Sequence, residues 1–219
     1  MQINNLIFII CFFRFLSLYS ESSFVIMIDI AGDIYSQGRI IDNHFERGLL
    51  LQLAEKIKTQ CAYSSIQVII NTSQEPEAKE QRAHKINTIG IDLLISICAY
   101  HDKLKRQIFI YQYGDNKSLW SIHDNSLSFL PFDKAYSYSL VKTDSYVQYF
   151  CKLLGNSILA KEFIMHEPLS VYLKSLSGII IPAFCIEFGF IANQDWLLLI
   201  EPISLAIQSM LHDYMLSEI

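Results

Sequence analysis

The sequence predicts an α/β fold with three layers, in which a mainly parallel sheet is flanked by helices. Strand-like apolar runs alternate along the chain with segments of helical spacing, as in proteins built from βαβ units. The strand-like runs are apolar almost throughout, which is typical of strands buried on both faces. With 52% hydrophobic and 18% charged residues, the chain of 219 residues can form one domain with a sizeable core.

The first half of the chain supplies the opening strands and helices. The run Phe24–Ile30 is apolar except for one aspartate and predicts a strand buried on both faces. Leucine, alanine and isoleucine recur at helical spacing within 46–58, which predicts an amphipathic helix. A second strand is predicted at 67–72. A polar helix is predicted at 76–88, with Gly90 just past its end.

The second half continues the alternation. Strands are predicted at 92–99, 107–113, 170–173 and 179–186. Apolar residues at helical spacing predict a helix over 143–163 with Ile158 on its apolar stripe, and a closing helix over 203–216.

Two segments differ from this pattern. An apolar run near the N-terminus is followed by small polar residues, which predicts a signal peptide at 1–22. Because Arg14 interrupts the run and no lysine or arginine precedes it, a retained N-terminal anchor is the alternative. The domain is expected at 23–219, with an aromatic-rich insertion at about 115–140 on its surface.

Composition narrows the classes of partner. A formal net charge of -5 and a pI near 5.6 argue against a nucleic-acid partner, which would require a basic patch. Four cysteines follow the N-terminal segment, at Cys61, Cys98, Cys151 and Cys185. Their spacing matches neither a disulfide framework nor a CxxC metal site, so they are expected to pack as small hydrophobes.

Polar residues at the ends of the predicted strands indicate a site. In open α/β sheets, sites form beyond the carboxyl ends of the strands. Asp29, Cys98 and Glu187 come at three such ends, and Glu46 begins the first helix. A glutamate in an apolar strand is costly to bury. Glu187 is therefore either a functional carboxylate or one that pairs with an arginine or accepts backbone hydrogen bonds.

Several short motifs together resemble a known family. They are Ile28-Asp29, Gly38, the helix that begins at Glu46, Gln81-Arg82-Ala83, the run Asp92 to Ala99, and the run Glu187 to Asn193. Their order and approximate spacing resemble those of the zinc-dependent N-acetylmuramoyl-L-alanine amidases of the amidase_3 family, which trim bacterial peptidoglycan. The resemblance extends over about residues 24–216. It implies structural roles for Asp29 and Arg82.

The resemblance also implies a zinc site with two substitutions. The family's first zinc histidine aligns with Gly32 and its second with Cys98, while the glutamate ligand aligns with Glu46. The catalytic glutamate aligns with Glu187. In the family, zinc lowers the pKa of its bound water to about 7, and the second glutamate acts as general base. Zinc binding by this chain is therefore doubtful.

A rebuilt metal site is the alternative. Cys98 is a good zinc ligand as a thiolate, and Asp33 lies one residue beyond the lost histidine. Asp33, Glu46 and Cys98, assisted by His44 or His101, form a chemically conceivable ligand set. The competing interpretation is that Cys98 is simply a packed residue at the end of its strand.

These observations predict an exported amidase homologue of peptidoglycan turnover, periplasmic or attached to the cell envelope. Its hydrolytic activity is expected to be impaired or lost, with peptidoglycan, muropeptides or a protein as partner. Two alternatives remain open. One is an active amidase with a remodelled metal site, and the other is an interaction module that uses the aromatic insertion. The sequence does not indicate an oligomeric state.

Overall fold

The computed structural model describes residues 24–32, 35–72, 78–114 and 132–217. Its strands are β1 (Phe24–Ile30), β2 (Ile40–Ile41), β3 (His44–Phe45), β4 (Ile66–Asn71), β5 (Leu93–His101), β6 (Gln107–Tyr113), β7 (Ile164–Met165), β8 (Leu169–Val171) and β9 (Ala183–Phe190). Its α-helices are α1 (Glu46–Cys61), α2 (Lys79–Thr88), α3 (Leu140–Gly155), α4 (Leu159–Glu162) and α5 (Ile200–Ser217). Short 3₁₀ helices lie at Phe132–Tyr138, Lys174–Leu176 and Asp195–Leu199.

The main sheet has the strand order β4-β1-β5-β9-β6-β7, and β8 also pairs with β6. Strands β4, β1, β5 and β9 are parallel to one another, whereas β6 runs antiparallel to β9. The short strands β7 and β8 both pair with β6 in parallel, at different positions along it, and together they form the edge of the sheet beyond β6. The sheet is therefore mainly parallel, with one reversal of direction.

Helices cover both faces of this sheet. Helices α1, α3 and α5 pack on one face through a large cluster that includes Leu50, Phe150 and Ile203. Helix α2 and the 3₁₀ helix at 174–176 pack on the other face in a smaller cluster that includes Ala83 and Leu176. The predicted three-layer α/β fold is confirmed. We call the second surface the α2 face, because it carries the candidate site.

Alternation along the strands decides which side chains reach the α2 face. In β1, Ile26 and Ile28 belong to the large cluster, whereas Met27 between them belongs to the cluster on the α2 face. In β9, Cys185 points to the α2 face while Phe184 and Ile186 point away from it. Because side chains alternate between the two faces of a strand, the side chain two residues beyond Cys185 also lies on the α2 face.

Two predicted elements differ from the observed ones. The helix predicted at 143–163 is two helices, because α3 ends at Gly155 and α4 starts at Leu159. Ser157 Oγ accepts a hydrogen bond from the backbone N–H of Leu159, which supports this turn. As a result Ile158 is 67% exposed and Leu159 is fully buried, so Ile158 does not belong to the apolar stripe as predicted.

The last strand begins later than predicted. The apolar run at 179–186 suggested a strand, but β9 starts at Ala183. Pro182 lacks a backbone N–H and cannot donate to the ladder, although its carbonyl oxygen accepts from Leu94 N at 3.0 Å. Consequently Glu187 lies within β9, not beyond its end.

Some predictions fall on residues outside the described ranges. The signal peptide or anchor at 1–22, the residue Asp33 and most of the aromatic insertion belong to this group. These therefore stay predictions. Among the residues that the structure does describe, no helix combines the length and apolar character needed to cross a membrane.

Candidate functional site

Glu187 is the centre of the candidate site and is held by two partners. It pairs with Cys98 across β5 and β9, which places both side chains on the α2 face. Arg39 Nη1 donates to Glu187 Oε1 at 2.7 Å, and the hydroxyl of Tyr111 donates to Oε2 at 3.0 Å. The Glu187 side chain is 17% exposed. Its carboxylate is therefore paired at both oxygens.

Arg39 belongs to the loop that joins β1 to β2. Its side chain is 56% exposed, and Nη1 also lies 3.4 Å from the carbonyl oxygen of Ala99. The pKa of the guanidinium is raised above its ordinary value, chiefly by the hydrogen bond to Glu187, and the negative charge of Glu46 adds to this. Arg39 is the cation of the site.

Glu46 is the first residue of α1 and is only 3% exposed. Its Oε1 accepts the backbone N–H of Ala99 at 2.6 Å, and its Oε2 accepts the backbone N–H of Arg39 at 2.9 Å. A Cβ atom at Gly38 would lie 2.5 Å from Oε2, so only glycine leaves room for the carboxylate. Glu46 therefore ties the Arg39 loop to β5.

Cys98 faces Cys185, with a distance of 3.8 Å between the two sulfur atoms. Cys185 is buried and Cys98 is half-buried. The contact with Cys185 and burial raise the pKa of the Cys98 thiol strongly, and the charges of Glu187 and Glu46 act in the same direction. The neutral form of the thiol, which is the poor nucleophile, is therefore favoured.

We expect Cys98 to react slowly with iodoacetamide in the native protein. A raised pKa leaves less thiolate at a given pH, so alkylation at pH 8 should be at least roughly ten-fold slower than for an ordinary free thiol. Peptide mapping by mass spectrometry after timed quenching measures the rate at this residue. The denatured protein is the control, and ordinary reactivity of Cys98 in the folded chain would contradict the prediction.

Gly32 is the residue that the sequence resemblance aligns with the first zinc histidine of the family. Its φ is +84°, and a Cβ atom there would lie 2.5 Å from the backbone oxygen of Ser36. Its own carbonyl oxygen accepts from Arg47 Nη1 at 2.6 Å. A histidine would therefore be strained at this position, because L side chains rarely adopt this conformation and the neighbouring backbone is too close.

Asp29 and Arg82 lie deeper on the same face. Arg82 Nη2 donates to Asp29 Oδ2 at 2.5 Å, and Nη1 donates to the carbonyl oxygen of Ser175. Asn71 Nδ2 donates to Asp29 Oδ1 at 2.6 Å. Arg82 thus joins α2 to the end of β1 and to the 3₁₀ helix at 174–176.

The described donors do not fit a zinc site of the amidase_3 kind. Such a site needs three ligands with an open fourth position. Gly32 offers no side chain, both oxygens of Glu46 accept backbone N–H groups, and the Cys98 sulfur faces the sulfur of Cys185. His44 and His101 are exposed at strand ends. Over the described residues, no group of three or more His, Cys, Asp or Glu side chains could hold a metal ion.

Partly exposed rings lie next to Glu187. Phe109 pairs with Glu187 across β6 and β9, and its ring stacks on His166 with centroids 4.0 Å apart. Phe109 also lies parallel to Tyr111 at 6.1 Å. We call Phe109, Tyr111 and His166 the aromatic strip. Because the ring planes are parallel and face one another, the strip presents ring edges, with polar ring atoms beside the carboxylate.

The structure brings together Glu46, Cys98 and Glu187, as the sequence predicted. Arg39 and Tyr111 also belong to the site, but the sequence did not indicate them. Arg39 is a single arginine in a polar loop, and no spacing marks it. Tyr111 lies on β6, whose antiparallel direction brings it beside Cys185. The sequence signal for Tyr111 was the alternation within 107–113, which identifies the strand but not its neighbour.

Solved structures share this fold. An N-acetylmuramoyl-L-alanine amidase from Clostridium difficile 630 matches with a TM-score of 0.54 and 18% identity, over 89% of this chain and 98% of that one. AmiC2 of Nostoc punctiforme, also an N-acetylmuramoyl-L-alanine amidase, matches with a TM-score of 0.57 and 12% identity, over 89% and 98%. The CwlD amidase from Clostridioides difficile, in complex with the GerS lipoprotein, matches with a TM-score of 0.56 and 15% identity, over 88% and 98%.

No model of a protein family and no curated protein sequence matches the chain. The structural matches nevertheless show that the chain has the fold of N-acetylmuramoyl-L-alanine amidases, at a low sequence identity to each of these structures.

Proposed function

We propose that this chain is an exported cell-wall protein that binds peptidoglycan or muropeptides on the α2 face without hydrolysing them. The solved structures that share its fold are N-acetylmuramoyl-L-alanine amidases, which supports a ligand that contains muramic acid and a peptide. The predicted signal peptide supports export. A protein partner is a further part of the proposal, since one structural neighbour was solved with a lipoprotein.

The observation that carries this proposal is the state of Glu187. A general base needs a free oxygen within reach of the water that it activates. Here Arg39 and Tyr111 each donate to one oxygen of this carboxylate. Because each oxygen already accepts a hydrogen bond from a side chain, the carboxylate is not positioned here to take a proton from a water molecule. Hydrolysis of the amide bond is therefore not expected.

Binding remains well supported by the same residues. The aromatic strip gives a sugar ring or an apolar peptide side chain a surface to pack on. The exposed guanidinium of Arg39 lies on the other side of Glu187 from Tyr111. Besides the N–H group that donates to Glu187, it carries further N–H groups that can donate to a ligand. Carbonyl and carboxylate oxygens of a peptide stem are suitable acceptors for these groups.

The test combines sedimentation with purified peptidoglycan and analysis of the released products. The full chain should sediment with insoluble peptidoglycan, and mass spectrometry should detect no free peptide stems, with or without added zinc. Phe109→Ala should weaken sedimentation at least roughly five-fold, because an aromatic contact contributes about 1 kcal/mol. Tyr63→Ala is the matched control, since Tyr63 is 96% exposed at the turn after α1.

Two results would overturn the proposal in different ways. Zinc-dependent release of peptide stems that is abolished by Glu187→Gln would identify an active amidase with a remodelled metal site. No sedimentation, with Phe109→Ala indistinguishable from the native chain, would indicate an interaction module whose partner is another protein.

A further inference from the structure

Arg39 contacts the residues that the resemblance aligns with the glutamate ligand and the catalytic glutamate of the amidase_3 family. Nη1 contacts Glu187 Oε1 and the carbonyl oxygen of Ala99, which directly follows Cys98. The backbone N–H of Arg39 itself donates to Glu46. Both carboxylates of the site therefore contact the same residue, which carries one positive charge.

We propose that Arg39 is a built-in cation, whose guanidinium takes the place of a bound metal ion next to Glu187 and the residue that follows Cys98. The loop that holds Gly32 instead of the zinc histidine also supplies this guanidinium, seven residues further along the chain. The glycine that replaces a zinc histidine and the arginine that supplies the positive charge therefore belong to the same loop. The site is complete without a metal.

The requirement for a cation follows from the two carboxylates. Glu46 is 3% exposed and the Glu187 side chain is 17% exposed, so both charges are largely withdrawn from water. A poorly solvated carboxylate is stabilised by a nearby cation, and the negative charges of both glutamates act on the Arg39 guanidinium. A divalent ion could meet this need, but Arg39 does so from within the chain.

Two features disfavour a metal ion next to Glu187. One is repulsion by the Arg39 guanidinium, and the other is that the Glu46 oxygens already accept hydrogen bonds. A guanidinium next to Glu187 repels a divalent cation at the distance at which that cation would have to bind. The two oxygens of Glu46 are bonded to backbone N–H groups, one of them that of Arg39. Removing the guanidinium should therefore raise the affinity of the site for zinc.

The experiment measures zinc affinity by competition with a chromophoric chelator, in chains that also carry Cys98→His to restore one imidazole. The variant Cys98→His with Arg39→Gln should bind one zinc ion per chain at least roughly ten-fold more tightly than Cys98→His alone. The matched control is Cys98→His with Arg106→Gln. Arg106 is likewise ion-paired, with Asp195 at 2.9 Å, but belongs to a different part of the fold.

Circular dichroism of each variant verifies the fold before zinc is added, and Arg39→Lys replaces Arg39→Gln if the latter does not fold. Lysine keeps the charge but reaches less far, so Cys98→His with Arg39→Lys should still bind zinc more tightly than Cys98→His alone. Equal zinc affinity with and without Arg39 would overturn the proposal, as would stoichiometric zinc in the native chain. The assay contains no cell-wall material, so failure of wall binding leaves its result unchanged.

Discussion

Replacing Arg82 with alanine is expected to lower the free energy of unfolding by roughly 3 kcal/mol. Arg82 is 18% exposed in its side chain and Asp29 is 11% exposed, so the substitution leaves a poorly solvated carboxylate with only Asn71 as a partner. It also leaves the carbonyl oxygen of Ser175 without this donor. Losing one partner of such a pair costs far more than losing a surface ion pair.

Urea unfolding followed by circular dichroism measures this effect. His84→Ala is the matched control, because His84 is an exposed residue of the same helix. Its substitution should change the unfolding free energy by no more than about 0.5 kcal/mol. If Arg82→Ala proves as mild as His84→Ala, the ion pair does not hold α2 to β1 in the way described.

Replacing Glu46 with alanine is expected to cost about 3 kcal/mol of stability and to do so equally in the presence and absence of a chelator. The substitution removes the acceptor of two backbone N–H groups, at Ala99 and Arg39. A hydrogen bond to a charged group contributes about 1.5–3 kcal/mol. Because Glu46 is the first residue of α1, its charge also interacts favourably with the positive end of the helix dipole.

The comparison with Glu55→Ala isolates this role. Glu55 is exposed on the same helix, so its substitution should have an effect below about 0.5 kcal/mol. Thermal unfolding of the native chain and of both variants, with and without EDTA, separates a structural carboxylate from a metal ligand. If EDTA lowers the melting temperature of the native chain but not that of Glu46→Ala, the residue is a metal ligand after all.

The fold was predictable where burial alone sets the pattern. The run in β1 is apolar on both faces, and the stripe in α1 repeats at helical spacing, so both elements were found within a few residues. The break between α3 and α4 was not predictable from spacing, because apolar residues continue on both sides of Gly155. The turn in which Ser157 accepts the backbone N–H of Leu159 determines that Leu159 is buried and Ile158 is exposed.

The site was predictable only in part, for a related reason. Glu46, Cys98 and Glu187 come at the beginnings or near the ends of recognisable elements, and parallel strands bring such positions together. Arg39 reaches Glu187 across 148 positions of sequence from an irregular loop. No local pattern encodes a contact of this kind, since its existence depends on the path of the loop over the finished sheet.

The far edge of the sheet limits how two copies of this chain could associate. Beyond β6, the edge is divided between β7, with two residues, and β8, with three. Sheet extension between molecules requires an uninterrupted row of unpaired backbone groups, and short or broken edge strands deny it. Within the described part of the chain, this edge therefore offers a neighbouring molecule two short strands in place of one long one, which disfavours edge-to-edge association there.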